Sequence, residues 1–167
     1  MSLKSLVLSV TLALAPGLAV AGDAKIKVLD PYARSASVNA KSGAIFLELM
    51  NHGEDDRLIA VSSPLAKNTQ LHTHLEDANG VVKMRHVEDG FAIAAGERLL
   101  LERGGKHVML LGLTEPLEDG ASVPLTLTFE KAGEVTLDVI VDRDRKPEHG
   151  GDHGEHGHGH KHEDHSG

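Results

Sequence analysis

Short runs of alternating apolar and polar residues, separated by turn residues, fill most of the chain between residues 22 and 145. Alternation with a period of two predicts β-strands that are buried on one face. Many short strands at this spacing favour an antiparallel sandwich or barrel, and residues 64–67 could form at most a short helical turn. The predicted strands cover residues 26–29, 43–50, 58–62, 69–75, 81–87, 97–101, 106–113, 122–129 and 134–141.

The two ends of the chain differ from this body. Lys4, an apolar stretch at 6–15 and the small residues Ala19 and Ala21 predict a secretory signal over 1–21, cleaved near Ala21. The apolar stretch is too short for a permanent transmembrane anchor. We therefore expect a periplasmic protein without stable membrane insertion, with one folded domain at 22–145.

Residues 146–167 form a tail without large apolar side chains. Such a composition cannot bury a core, and it predicts disorder. The tail carries seven of the twelve histidines, and imidazole suits Cu(II) and also Zn(II). Its candidate metal ligands are His149, His153, His156, His158, His160, His162 and His165.

Composition excludes some classes of function. The formal net charge is −8, and the chain has one Tyr, three Phe and no Trp, so it lacks the basic surface and stacking rings that nucleic-acid binding requires. It also contains no Cys, which excludes a blue-copper electron carrier because that centre needs a thiolate.

Two histidines and two methionines form the most informative pattern. Imidazole and thioether are neutral, soft to borderline ligands that suit Cu(I). Alternation places His107 and Met109 on one face of a strand, opposite Val108. A hairpin closed by Leu75 and Val81 would place His72 directly across from Met84. The His107 strand would then fold over to meet this pair near one end of the sandwich.

Each of these residues also has a plainer interpretation. Met84 or Met109 alone is more often a core residue than a ligand, and Met50 lies in an apolar strand pattern. A histidine beside a glycine turn, such as His107, is usually a surface residue. His52 lies in a predicted turn. Two further histidines could be outer-shell or surface groups, namely His74 and His86.

Six segments together resemble the PCu(A)C family of periplasmic copper chaperones. The resemblance covers about residues 25–141, and the combined motif is specific. The segments are DDRL at 55–58, SPLA at 63–66, TQLHTH at 69–74, VKMR at 82–85, GGKHVMLLGL at 104–113 and VPLTLTF at 123–129.

The resemblance implies a cupredoxin-like antiparallel Greek-key sandwich and a Cu(I) site formed by His72, Met84, His107 and Met109. It also implies delivery of copper toward the CuA centre of cytochrome c oxidase subunit II or another copper-assembly protein. Many family members carry a Met soon after the first His, and this chain has His74 in that region. A further ligand from that region would therefore be His74.

These observations predict a non-enzymatic copper carrier with Cu(I) in the body and Cu(II) on the tail, whose partner contacts an exposed edge at His107 and Met109. A hydrolase or dismutase would need three firm ligands and an open position, and no suitable acidic residues are evident. The main alternative is a periplasmic copper or zinc buffer or resistance protein without a dedicated client.

Overall fold

A computed structural model describes residues 25–76 and 78–146, which form ten β-strands and no helix. The predicted signal at 1–21 and nearly all of the predicted tail lie outside the described residues. The all-β prediction is therefore confirmed for the body. The strands are β1 (Ile26–Ser35), β2 (Ser42–Asn51), β3 (Asp56–Ser62), β4 (Ala66–Glu76), β5 (Val82–His86), β6 (Phe91–Ile93), β7 (Arg98–Leu101), β8 (His107–Leu113), β9 (Ser122–Phe129) and β10 (Gly133–Val141).

One continuous sheet contains all ten strands, in the order β5-β4-β8-β2-β1-β10-β9-β3-β6, with β7 paired to β2. Every strand except β5 contributes to one cluster of buried apolar side chains. The sheet must therefore wrap around a shared core, with one face inward and the other outward. Within the described residues, no helix is long and apolar enough to cross a membrane.

All strand pairs are antiparallel except one. β1 runs parallel to β10, with Tyr32 opposite Ile140 and Ala33 opposite Val141. The sequence pattern predicted only antiparallel neighbours. Alternation of apolar and polar residues carries no information about the direction of a partner strand, so this parallel pair was not predicted.

Two strand segments escaped the sequence pattern entirely. The second half of β1 follows a register shift between Leu29 and Tyr32. At this bulge Asp30 has φ 49°, a left-handed conformation that few residues other than glycine adopt. The other segment, β6, has only 3 residues and is too short to show a period. In addition, β4 already begins at Ala66, so the helical turn considered for residues 64–67 is wrong for its last two residues.

The hairpin register predicted for β4 and β5 is wrong by two residues. Leu75 pairs with Lys83, so that His74 lies opposite Met84 and His72 opposite His86. The strand continues to Glu76, and the turn shifts so that Gly80 adopts φ +77° near its end. A shift of two residues keeps every side chain on its predicted face, so the outward-facing set is unchanged.

A buried carboxylate holds the start of β3 against the turn between β9 and β10. Asp56 is 9% exposed. Its Oδ1 accepts hydrogen bonds from the backbone N–H of Arg57 at 2.7 Å and Lys131 at 2.9 Å, and Oδ2 accepts one from Ala132 at 2.8 Å. Burial alone would raise the pKa of Asp56, but the three backbone donors and the Lys131 charge outweigh it and lower the pKa below its usual value.

Asp56→Asn is expected to lower the free energy of unfolding by about 2 kcal/mol at pH 7, because hydrogen bonds to a charged acceptor are lost. The pKa of Asp56 is lower in the folded than in the unfolded state. Its stabilisation is therefore complete above the unfolded pKa, about 3.9, and is lost as pH falls through the folded value. Urea unfolding at pH 7 and pH 3 measures the difference. An equal effect of the substitution at both pH values would contradict this account.

Candidate metal centre

The start of β8 presents two candidate ligands on the outer face of the sheet. Val108 and Leu110 point inward and are fully buried, so His107 and Met109 point outward by alternation. Both residues therefore share one face of the strand, as alternation predicted.

The strand beside β8 supplies the next candidates through direct pairing. His72 of β4 lies opposite His107, and Gln70 lies opposite Met109. The predicted fold-over near one end of the sandwich is therefore wrong. Instead, β4 and β8 are neighbouring strands, and their side chains meet on one sheet face.

The imidazole rings form a row across this face. The ring centroid of His107 lies 5.4 Å from that of His74 and 5.7 Å from that of His72. The next ring in the row, His86, lies 5.8 Å from His72. On the other side of His107, the ring of Phe46 lies 6.1 Å away.

The predicted partner contact at an exposed edge formed by His107 and Met109 is wrong for His107, because this residue is buried. The residue is only 3% exposed, because it lies between neighbouring strands and is flanked by the rings of Phe46, His72 and His74. The exposed member of the group is Met84 on β5, at 55%. A partner would therefore reach Met84 before it reached His107.

Hydrogen bonding fixes which nitrogen of His107 is free. The Nδ1 atom lies 3.2 Å from the carbonyl oxygen of Gly105. A carbonyl oxygen only accepts, so Nδ1 carries the proton and Nε2 keeps its lone pair. Burial and the nearby His74 lower the pKa of His107, against an opposing effect of the Gly105 hydrogen bond. The ring is therefore neutral at pH 7, as metal binding requires.

In His72 the roles of the two ring nitrogens are reversed. Its Nε2 lies 3.0 Å from Oε1 of Gln70, a position that only accepts. The Nδ1 atom is buried and has no hydrogen-bond partner. A buried nitrogen without a partner is costly, and a metal ion would satisfy it. Burial and the neighbouring rings of His107 and His86 lower the pKa of His72, so this ring is also neutral.

An open cavity of about 370 Å³ brings four candidates together: His74, Met84, His107 and Met109. His72 does not line this cavity, although its ring is next to that of His107. Both thioethers and two imidazoles therefore line one cavity. One of these imidazoles belongs to His74, which the PCu(A)C motif does not require.

Imidazoles and carboxylates alone do not form a metal site here. Among residues 25–76 and 78–146, no three His, Asp or Glu side chains are grouped closely enough to hold one metal ion. A site with three or more protein ligands on this face would therefore need a thioether, and Met84 and Met109 are the candidates. That donor chemistry fits Cu(I) and does not fit a zinc hydrolase.

The other candidate residues lie away from this cavity or outside the described residues. His52 is exposed in the loop between β2 and β3, and Met50 is half-buried on β2. The tail histidines lie outside the described residues.

Several residues that line the cavity were not predicted from the sequence, Phe46 and Arg103 among them. Phe46 lies on β2, whose pairing with β8 no local pattern reveals. Gln70 was not predicted either, although it could have been found because it lies two residues before His72 on the same strand face.

Comparison with known proteins identifies the family. The sequence profile of the LpqE-like family, described as "Putative lipoprotein LpqE-like", matches residues 26–141. A relative from Leifsonia xyli subsp. xyli (strain CTCB07), named "Putative lipoprotein Lxx21020", is 38% identical over 99 residues. This match spans 59% of the present chain and 59% of the relative's length.

Solved structures with a similar fold include the copper-bound PCuAC domain from PmoF2, with 28% identity, a TM-score of 0.58 and coverage of 71% of this chain and 93% of that domain. The apo PCuAC domain from PmoF1 has 28% identity, a TM-score of 0.59 and coverage of 71% and 94%. The CuI-DR1885 structure from Deinococcus radiodurans has 27% identity, a TM-score of 0.54 and coverage of 70% and 79%. These neighbours support the predicted cupredoxin-like architecture. Since the family profile covers more than half of the chain, the protein belongs to the LpqE-like family.

Proposed function

We propose that this protein is a copper chaperone that binds Cu(I) on the outer face of its sheet and passes it to a partner protein. The observation that carries the proposal is the cavity in which both thioethers meet two imidazoles on a scaffold without cysteine. Similarity to a copper-bound PCuAC domain and to a Cu(I)-loaded protein supports copper as the cargo. The role is binding and transfer and not catalysis.

The ligand set follows from the free donor atoms. Nε2 of His107 and the sulfurs of Met84 and Met109 would provide three soft or borderline donors. The second nitrogen would come from Nδ1 of His72, which the family motif implies and which has no hydrogen-bond partner. His74 is the alternative, since it lines the same cavity.

Neutral ligands favour release as well as binding. The bound ion would keep its full positive charge, so a partner that offers thiolates would gain a Coulomb attraction that thioethers cannot match. Met84 lies on the edge strand β5 and is the most exposed of the proposed ligands. We therefore infer that Met84 is the ligand that is exchanged first when copper passes to the partner.

The histidine-rich tail would form a second copper site. Lys146, the last described residue, lines a cavity that shares Phe46 and Arg103 with the His/Met cavity. The tail would therefore begin beside the Cu(I) site, where imidazoles that bind Cu(II), and also Zn(II), raise the local supply of metal. The lipoprotein names of the family and the relative support export, and we propose the periplasm, with the signal cleaved near Ala21.

The proposed destination is the CuA centre of cytochrome c oxidase subunit II or another copper-assembly protein. Deleting the gene is expected to lower oxidase activity at low copper, with recovery when copper is added, because a chaperone matters most when its cargo is scarce. Oxidase activity in the deletion strain, complemented with either the parent or the Met84→Leu/Met109→Leu gene, is the measurement. Normal oxidase activity together with sensitivity to excess copper or zinc would instead indicate a buffer or resistance protein.

A further inference from the structure

His86 is a metal-binding side chain that the proposed Cu(I) site does not use. It is exposed on β5, the strand at one end of the sheet order. Its partner across the strand pair is His72, so two imidazoles occupy directly opposite positions at the edge of the sheet.

The backbone pattern brings these two side chains close together. Val87 N–H donates to Leu71 O at 2.8 Å, which makes Leu71 and Val87 a hydrogen-bonded pair. Bonded and non-bonded pairs alternate in antiparallel strands, so His72 and His86 form a non-bonded pair, with Cα atoms about 4.5 Å apart. Side chains approach each other most closely at such pairs.

The separation of the rings fits two ligands of one ion. A metal–nitrogen bond of about 2.0–2.1 Å places a metal about 3.2 Å from an imidazole centroid, so two rings on one ion lie roughly 4.5–6.3 Å apart. The observed distance between the centroids of His72 and His86 is 5.8 Å, with ring planes inclined by 34°. The Nδ1 atom of His72 is buried without a hydrogen-bond partner and supplies a lone pair.

The surroundings of His86 suit a cation of higher charge. The groove beside it, about 470 Å³, is lined by His86 together with Glu88, Asp89, Thr73 and Arg85, whereas His72 does not line it. The two carboxylates outweigh the single guanidinium, so the local field favours a divalent ion over a monovalent one. No sulfur lines this groove, which leaves imidazole and oxygen donors.

We propose that His72 and His86 form a two-imidazole site for Cu(II) at the sheet edge, with water completing the coordination. Imidazole with oxygen donors is the set that Cu(II) prefers. The site uses the Nδ1 lone pair of His72, which binds one ion at a time, so Cu(II) binds here when His72 is not bound to Cu(I) or when His74 supplies the second nitrogen of the Cu(I) site. Only the Cu(I) site needs the methionines, so the two proposals can fail independently.

Cu(II) titration tests this site in the full chain with the seven tail histidines changed to asparagine. Competition against glycine gives the affinity, and electron paramagnetic resonance reports nitrogen coupling. His86→Gln is expected to lower the Cu(II) affinity at least 10-fold and to remove the signature of a second imidazole. Its Cu(I) affinity should stay within about 2-fold of the parent.

His52→Gln is the matched control, since His52 is also exposed but lies outside the site. This variant should bind Cu(II) like the parent. The proposal is overturned if His86→Gln binds Cu(II) as tightly as the parent, if His52→Gln loses as much affinity, or if Met84→Leu/Met109→Leu lowers the Cu(II) affinity equally.

Discussion

Replacing Met84 and Met109 together with leucine is expected to lower the affinity for Cu(I) at least about 100-fold. Changing a single group that only supports a metal ligand typically costs 10–100-fold, and this change removes two proposed ligands. Leucine keeps the volume of methionine but has no sulfur donor. The affinity is measured by anaerobic competition titration with a Cu(I)-specific chelator.

The fold should survive this double change. Met84 is 55% exposed and Met109 is half-buried, so neither belongs to the core. Exchanges between Leu and Met usually cost less than about 1.5 kcal/mol even inside a core. Met50→Leu is the matched control, because Met50 lies on β2 and does not line the cavity. Unchanged Cu(I) affinity in the double variant would show that neither sulfur is a ligand of the ion.

The second large effect concerns the turn that follows β5. Gly90 has φ +69°, and an added Cβ would overlap the carbonyl oxygen of Leu58 and lie 3.0 Å from Cα of Ile59. Neither backbone atom can move without disturbing β3, which pairs with β6 and β9. Gly90→Ala is therefore expected to lower the free energy of unfolding by at least about 3 kcal/mol, from backbone strain together with steric overlap.

Gly96→Ala separates these two causes. Gly96 has φ +74°, and an added Cβ would meet nothing within 4 Å. This variant should lose only about 1–2 kcal/mol, the cost of the left-handed backbone. Urea unfolding of both variants provides the comparison. Similar losses in both would show that strain alone matters and that the backbone around Leu58 can adjust.

Local pattern was sufficient to predict most of the strands. β9 matches its predicted bounds, and β8 and β10 differ from theirs by one residue at the first position. Alternation also placed His107 and Met109 on one face, because the fully buried Val108 and Leu110 fix the other. These features depend only on the period of two and on turn residues.

The features that were not predicted from the sequence depend on how the strands pair. The hairpin register depended on whether Glu76 joins the strand, and the burial of His107 depended on its neighbours from β2 and β4. The parallel contact between β1 and β10 joins strands that are far apart in the chain. For the same reason, Phe46 was not predicted to lie beside the candidate ligands.

The central claim is that both methionine sulfurs and at least one imidazole bind a single Cu(I) ion. X-ray absorption at the copper edge tests this most directly, in the full chain loaded anaerobically with one equivalent of Cu(I) and labelled with selenomethionine. We expect copper–selenium scattering together with nitrogen scattering from imidazole, and loss of the selenium contribution in Met84→Leu/Met109→Leu. A shell of nitrogen and oxygen alone in the parent protein would contradict the claim.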